Sequence, residues 1–168
     1  MYSFILLPSE RKLNQSIKNK KMKKLILATA LLVSLSSFAS NDNKSDVNTL
    51  AKKNLLRHYS GATNIEWKSE AQFNKASFQI ENQKLEVFYD QNGDLIGTTK
   101  VVAFDKLPKA AIQTITSEYT FPEFNLRECI EFVDAYNVKK YFISMETVND
   151  RIILEISKTG SVSTYIAQ

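Results

Sequence analysis

The chain has one cysteine, one histidine, one tryptophan, three prolines and four glycines in 168 residues, and the scarcities remove whole classes of chemistry. Cys129 alone cannot close an intramolecular disulfide, so stability must come from a packed core. One histidine (His58) and one cysteine fall short of the several nitrogen and sulfur ligands a zinc site uses. No metal or other cofactor is expected. Four glycines supply neither a glycine-rich phosphate loop nor a Gly-x-Ser-x-Gly nucleophile elbow. With no nucleophile, base and orienting partner at a recognisable spacing, the chain is not expected to be an enzyme, and no catalytic residue is assigned. His58 beside Tyr59 reads instead as a residue near a helix C-terminus that interacts favourably with the helix dipole.

Long hydrophobic runs are missing as well. The apolar stretch Leu25 to Leu35 would reach about 16 Å as a helix, near half of a hydrocarbon core. Lys20, Lys21, Lys23 and Lys24 flank it on one side, and Ser36, Ser37 and Ala39 follow on the other. Met22 to Ala39 therefore reads as a secretory signal peptide, with cleavage expected after Ala39 or, alternatively, after Ser40. Residues 1–21 read as an over-extended start ahead of an initiator at Met22, the other reading being a long n-region. No cysteine follows the apolar run directly, so no lipid anchor is expected.

Removing residues 1–39 also reverses the charge. The whole chain carries 22 Lys and Arg against 18 Asp and Glu, but seven of the basic residues and only one acid lie in that segment. The remainder is left at a formal charge of −2. Phosphate binding needs a retained basic cluster, so nucleic acid is not expected as a partner.

Residues 40–45 read as a polar, disordered lead-in ending in a helix cap at Ser45. Val47, Leu50, Ala51, Leu55 and Tyr59 then recur at helical spacing, which predicts a helix from about Asp46 to Tyr59, stopped by Ser60-Gly61. The period changes to two around Ile65 and Trp67, around Ala76, Phe78 and Ile80, and around Leu85, Val87 and Tyr89. Asp90-Gln91-Asn92-Gly93 reads as a hairpin turn leading into a fourth strand, Leu95 to Val102. It does not match a calcium loop, since its glycine and acids fall at the wrong positions.

The order then repeats. Leu107-Pro108 opens a second helix marked by Ala111, Ile112, Ile115 and Tyr119 and ended by Pro122. Strands are expected near Leu126 to Val133, Val138 to Met145, Ile152 to Ile156 and Val162 to Ile166. Tyr119 lies sixty residues after Tyr59, and Gly160 sixty-seven after Gly93. The second unit thus holds seven extra residues, expected in its first hairpin. The fold class is α+β: one domain, 46–168, of two helix-plus-meander units (about 46–104 and 105–168). It forms one antiparallel sheet of up to eight strands with both helices on one face.

Four local features carry a family resemblance. They are the helix ending in Tyr59, the Ile65-Glu66-Trp67 strand, the segment Val87 to Gly93, and the Leu107-Pro108 helix start with Tyr119 twelve residues later. In these the chain resembles the PepSY-like family of exported bacterial proteins, related in fold to the beta-lactamase-inhibitor protein. The resemblance implies tandem helix-plus-sheet units, a location in the periplasm or outside the cell, and a role in binding or inhibiting another protein such as a peptidase. It supplies no catalytic residues. Ser157-Lys158-Thr159-Gly160 departs from it by lacking the acid and amide of the first turn, and Trp67 has no counterpart in the second unit.

Aromatic residues supply the candidate site. If Val87, Tyr89, Tyr141, Ile143, Leu154 and Ile156 pack on the helices, Phe88, Phe142 and Ile153 project from the opposite face. Large apolar groups there would mark a surface for an envelope or extracellular protein or peptide. The equally weighted reading is that both faces are partly buried. Trp67 and Cys129 are expected in the core, and the acids Glu128 and Glu131 on a solvated face. Two functions follow: a binding module acting through the sheet face, or a carrier of a small apolar ligand held between sheet and helices.

Overall fold

The computed structural model describes residues 47–165. The leader, the lead-in with its Ser45 cap, and Ile166 lie outside the described residues. Helix α1 spans Thr49–His58, starting later than the apolar spacing suggests because Asn48 is its cap. The Asn48 side-chain oxygen accepts from the Leu50 amide at 2.7 Å, and its amide group donates to the Gln91 carbonyl at 2.7 Å. A cap of this kind contributes about 1 kcal/mol. At the other end Tyr59 is the cap residue, its amide donating to the Leu55 carbonyl.

Strands β1 (Thr63–Ser69), β2 (Asn74–Ile80), β3 (Gln83–Tyr89) and β4 (Leu95–Val101) follow. A 3-10 turn at Phe104–Lys106 leads to α2 (Lys109–Glu118), with Pro108 at its N-cap. Proline suits the start of a helix because the amide it lacks would have no partner there. This helix ends at Tyr119, whose amide donates to the Ile115 carbonyl, so the chain leaves the helix before Pro122 rather than because of it. Strands β5 (Asn125–Asp134), β6 (Lys139–Glu146), β7 (Arg151–Ser157) and β8 (Val162–Thr164) complete the sheet.

All eight strands form one antiparallel sheet in chain order. Alternation along each strand then sends every second side chain to the same face. On one face, Ala51 and Leu55 of α1 pack with Ala76, Phe78, Val87 and Tyr89. On that same face, Ala111 and Ile115 of α2 pack with Cys129, Ile143, Met145, Leu154 and Ile156. Burying a side chain such as Leu55 contributes roughly 1.5–3 kcal/mol, and these two clusters are the core.

Two glycines let the helices come close. Gly93 and Gly160 both adopt positive φ in the turns after β3 and β7, a backbone conformation glycine takes without a Cβ penalty. A Cβ on Gly93 would stand 2.7 Å from the Leu50 Cβ, and one on Gly160 would stand 2.9 Å from the Ala110 Cβ. The first turn of each helix therefore rests on a glycine. The acid of the first turn, Asp90, accepts from the amides of Asn92 and Asp94 at 2.9 Å each. Ser157 takes that part in the second turn, its hydroxyl accepting from the Ser161 amide at 3.1 Å.

The registers align the two units residue by residue. Trp67 pairs with Ala76 and Ala76 with Val87, while Cys129 pairs with Ile143 and Ile143 with Leu154. The offset is 60 at the helices, 62 at the first strands and 67 at the next two. Two of the seven extra residues thus precede β5, and five lie in the β5–β6 hairpin. The counterpart of Trp67 is Cys129: a large residue beside alanine in one unit answers a small one beside isoleucine in the other. Bulk lost at one position is partly made up on the neighbouring strand.

Candidate binding face

The opposite face is built from the alternate positions of the same strands. In the N-terminal unit one row runs Glu66, Ser77, Glu86 and Thr99, and the next Lys68, Lys75, Phe88 and Gly97. In the C-terminal unit the corresponding rows are Glu128, Ser144 and Ile153, then Ile130, Phe142, Glu155 and Ser163. Both helices pack on the other side. Among the described residues, no helix lies over this face.

Phe88, Phe142 and Ile153 all stand here, as alternation requires, but they are not three exposed groups. Phe88 and Phe142 are 2% and 1% exposed, and Ile153 is half-buried. Lateral packing contributes to this burial. Phe73 meets Phe88 edge-on with centroids 5.6 Å apart, and Phe142 lies between Phe132 at 6.4 Å and Tyr165 at 5.5 Å. Phe132 in turn lies against Gly97, where an added Cβ would come within 2.4 Å of its ring. The result is a mutually supporting aromatic layer, with Val101 exposed at its margin.

Charges on the face are mostly matched. Lys75 Nζ lies 3.0 Å from Glu86 Oε1, and the Ser77 hydroxyl donates to the same oxygen at 3.2 Å. Lys140 pairs with Glu155. The cross-strand pair Glu128 and Ser144 differs: Glu128 Oε2 and Ser144 Oγ are both buried without a hydrogen-bond partner. Burial, and then the charge of Glu86, push the Glu128 pKa up, while Lys84 pulls it the other way.

Glu128 and Glu131 were expected together on a solvated face, and the structure corrects this. Three residues apart in a strand, they point to opposite sides. Glu131 lies on the helix side between Lys100 at 3.3 Å and Lys139 at 2.9 Å. Burial alone would raise its carboxyl, but hydrogen bonds from Lys139 and Lys100 outweigh it and the net shift is downward. Ser144 carries no motif. The signal that could have marked it is the matching Glu66–Ser77 row one unit earlier.

The other expected positions are accounted for. Cys129 is buried in the core, where burial and then the charge of Glu128 raise its thiol to about 11. His58 is exposed in the last turn of α1. Trp67 packs against the α1 cluster, its ring 6.0 Å from Tyr89. No group of three or more His, Cys, Asp and Glu among the described residues could hold a metal ion.

An open eight-stranded antiparallel meander with two helices on one side defines an α+β fold of the beta-lactamase-inhibitor type. A BLIP-like protein from Bacteroides fragilis superposes with a TM-score of 0.60 at 17% identity, covering 74% of this chain and 91% of that one. A DUF2874 family protein from Bacteroides uniformis gives 0.61 at 14% identity, over 69% and 86%. A protein from Bacteroides eggerthii, provisionally assigned to the periplasm, gives 0.63 at 13%, over 71% and 88%. No protein-family model matches the chain, PepSY included, and no curated protein sequence matches it. The likeness is one of fold.

Proposed function

We propose that the protein is an exported, non-catalytic binding module that holds an envelope or extracellular protein or peptide against the helix-free face of its sheet, in the manner of an inhibitor. The observation that carries this reading is the layer of Ile130, Phe132, Phe142 and Ile153 on a face over which no described helix lies. The layer is packed laterally and offers Val101 and Ile153 at its surface, and apolar groups on a helix-free face are what an interface uses. In this reading Phe88 and Phe142 form the rigid floor, and Ile153 is a contact point. The signal-peptide pattern supports export, as does the fold shared with a protein provisionally assigned to the periplasm. No described helix is long and apolar enough to cross a membrane. The carrier reading is less favoured, because the space between each helix and the sheet is occupied by core side chains.

The test is photocrosslinking in an envelope extract with a benzophenone residue beside Ile153. Adducts are expected with the parent protein and with Leu56→Glu, which alters an exposed position on α1. They should be lost with Ile153→Glu. Equal adducts in all three folded proteins would remove the sheet face from consideration.

A further inference from the structure

The binding reading leaves the chemistry of the partner open, and the two units supply it by contrast. In the N-terminal unit a carboxylate, a hydroxyl and an ammonium meet: Glu86 Oε1 receives both Lys75 Nζ and Ser77 Oγ. That carboxylate and that ammonium are largely buried, with side chains 16% and 10% exposed, yet they satisfy one another. A buried charge is tolerated when it is paired and hydrogen-bonded.

Of that trio the C-terminal unit keeps only the hydroxyl. Ser144 stands where Ser77 stands, but Phe142 replaces Lys75 and Ile153 replaces Glu86, while Glu128 stands where Glu66 stands on the neighbouring strand. The internal ammonium and the carboxylate it paired with have both gone, and a different carboxylate, Glu128, faces the hydroxyl across adjacent strands. Ser144 is only 4% exposed, and neither its Oγ nor Glu128 Oε2 has a partner. Leaving a buried polar group unsatisfied is destabilising. Other cations of this unit are engaged elsewhere: Lys140 with Glu155, and Arg127 with Glu146. Lys84 reaches Glu128 electrostatically without reversing the effect of burial.

We propose that Glu128 and Ser144 form the receptor for a lysine-type ammonium carried by the partner, on a side chain flanked by an apolar residue that rests on Ile153. The incoming ammonium supplies a charged donor, as Lys75 does in the other unit, but to the carboxylate on the opposite side of the serine. It donates to the Glu128 carboxylate and to the lone pairs of Ser144 Oγ, so that both orphaned atoms gain a partner. This assignment rests on the sheet face being the binding surface, and it adds the requirement of a positive charge at one defined place.

The experiment is an NMR titration of the isotopically labelled protein with two peptides, acetyl-Phe-Lys-Phe-amide and its norleucine analogue, which keeps the four-carbon stem without the charge. The lysine peptide is expected to bind at least roughly tenfold more tightly, shifting the Ser144 and Glu128 resonances. Glu128→Gln and, independently, Ser144→Ala should shrink that preference, whereas Glu66→Gln should leave it intact. Folding of each variant is checked by its own amide spectrum. Equal binding of the two peptides, or a lysine preference that survives Glu128→Gln, overturns the proposal. If both peptides bind this face equally, the ammonium site is wrong while the sheet-face reading stands. If neither peptide shifts this face the ammonium receptor is refuted, and the sheet-face reading then depends on the crosslinking result alone.

Discussion

Beneath α1 the sheet presents Trp67, Ala76 and Val87, and beneath α2 it presents Cys129, Ile143 and Leu154 in the same places. On the reverse of those strands, Lys75 and Glu86 of the first unit answer to Phe142 and Ile153 of the second. The helix side exchanges one apolar packing for another of similar bulk, because a helix resting on glycine allows no change in layer thickness. The reverse side exchanges an ion pair for two apolar groups. Where a unit must pack its own helix the chemistry is held, and where it need not the chemistry has diverged. Divergence on one face is the expected mark of a surface with its own task.

The largest expected effect separates the units directly. Phe142→Ala should cost about 3–5 kcal/mol, the range for deleting a buried ring, when measured by chemical denaturation. Lys75→Ala at the matching position should cost less, about 1–3 kcal/mol, since Glu86 keeps its hydroxyl donor Ser77. Equal losses would mean that the two reverse faces are energetically alike, and the contrast would fail.

The helix side should show the opposite, a likeness. Gly93→Ala and Gly160→Ala are both expected to lower stability by more than about 1 kcal/mol, because each needs positive φ. The loss at Gly93 should be the larger, because an added Cβ would meet Leu50 Cβ and the Ala51 amide nitrogen at 2.7 and 2.9 Å, against 2.9 and 3.1 Å to Ala110 and Ala111 at Gly160. A variant of either that unfolds at the parent denaturant midpoint would show that the helices do not depend on these turns.

The smallest effect concerns two carboxylates on opposite faces of β5. Glu131 has a lowered pKa in the fold, so its contribution is complete above the unfolded carboxylate value, near pH 4.3, and is lost as pH falls through the folded value. Glu128 has a raised pKa, so its contribution is complete below the unfolded value and is lost as pH rises through the folded one. Melting temperatures across the acid range should therefore lose part of their acid sensitivity in Glu131→Gln. In Glu128→Gln they should lose part of the decline from acid to neutral pH. Identical profiles would show that the two faces do not differ electrostatically.

The element order and the eight strands were legible in the sequence because period three-to-four and period two are direct consequences of helix and strand geometry. Trp67 and Cys129 could each be placed in the core by type. That they occupy the same position in successive units was not legible, because the offset between units shifts from 60 to 62 to 67 along the chain and no single alignment shows it. The face of Phe88, Phe142 and Ile153 could be read from alternation, but not their burial. The contacts of Phe88 with Phe73 and of Phe142 with Phe132 and Tyr165 depend on neighbouring loops and strands that alternation does not describe. Ser144 could be marked only by the matching Glu66–Ser77 row, and the same shifting offset hides that match.

Chain-order pairing of the strands has a kinetic side. The three hairpins of each unit's meander can close over short loops, and short closures are fast. The pairing of β4 with β5, from Gly97↔Asp134 to Val101↔Ile130, is the exception, because the 3-10 turn and α2 lie between the two strands. Among the described residues, only this ladder joins one unit to the other by strand pairing. Assembly is thus a set of quick local closures around one long-range closure, and the moment at which two half-sheets become a single continuous surface is the formation of that central ladder.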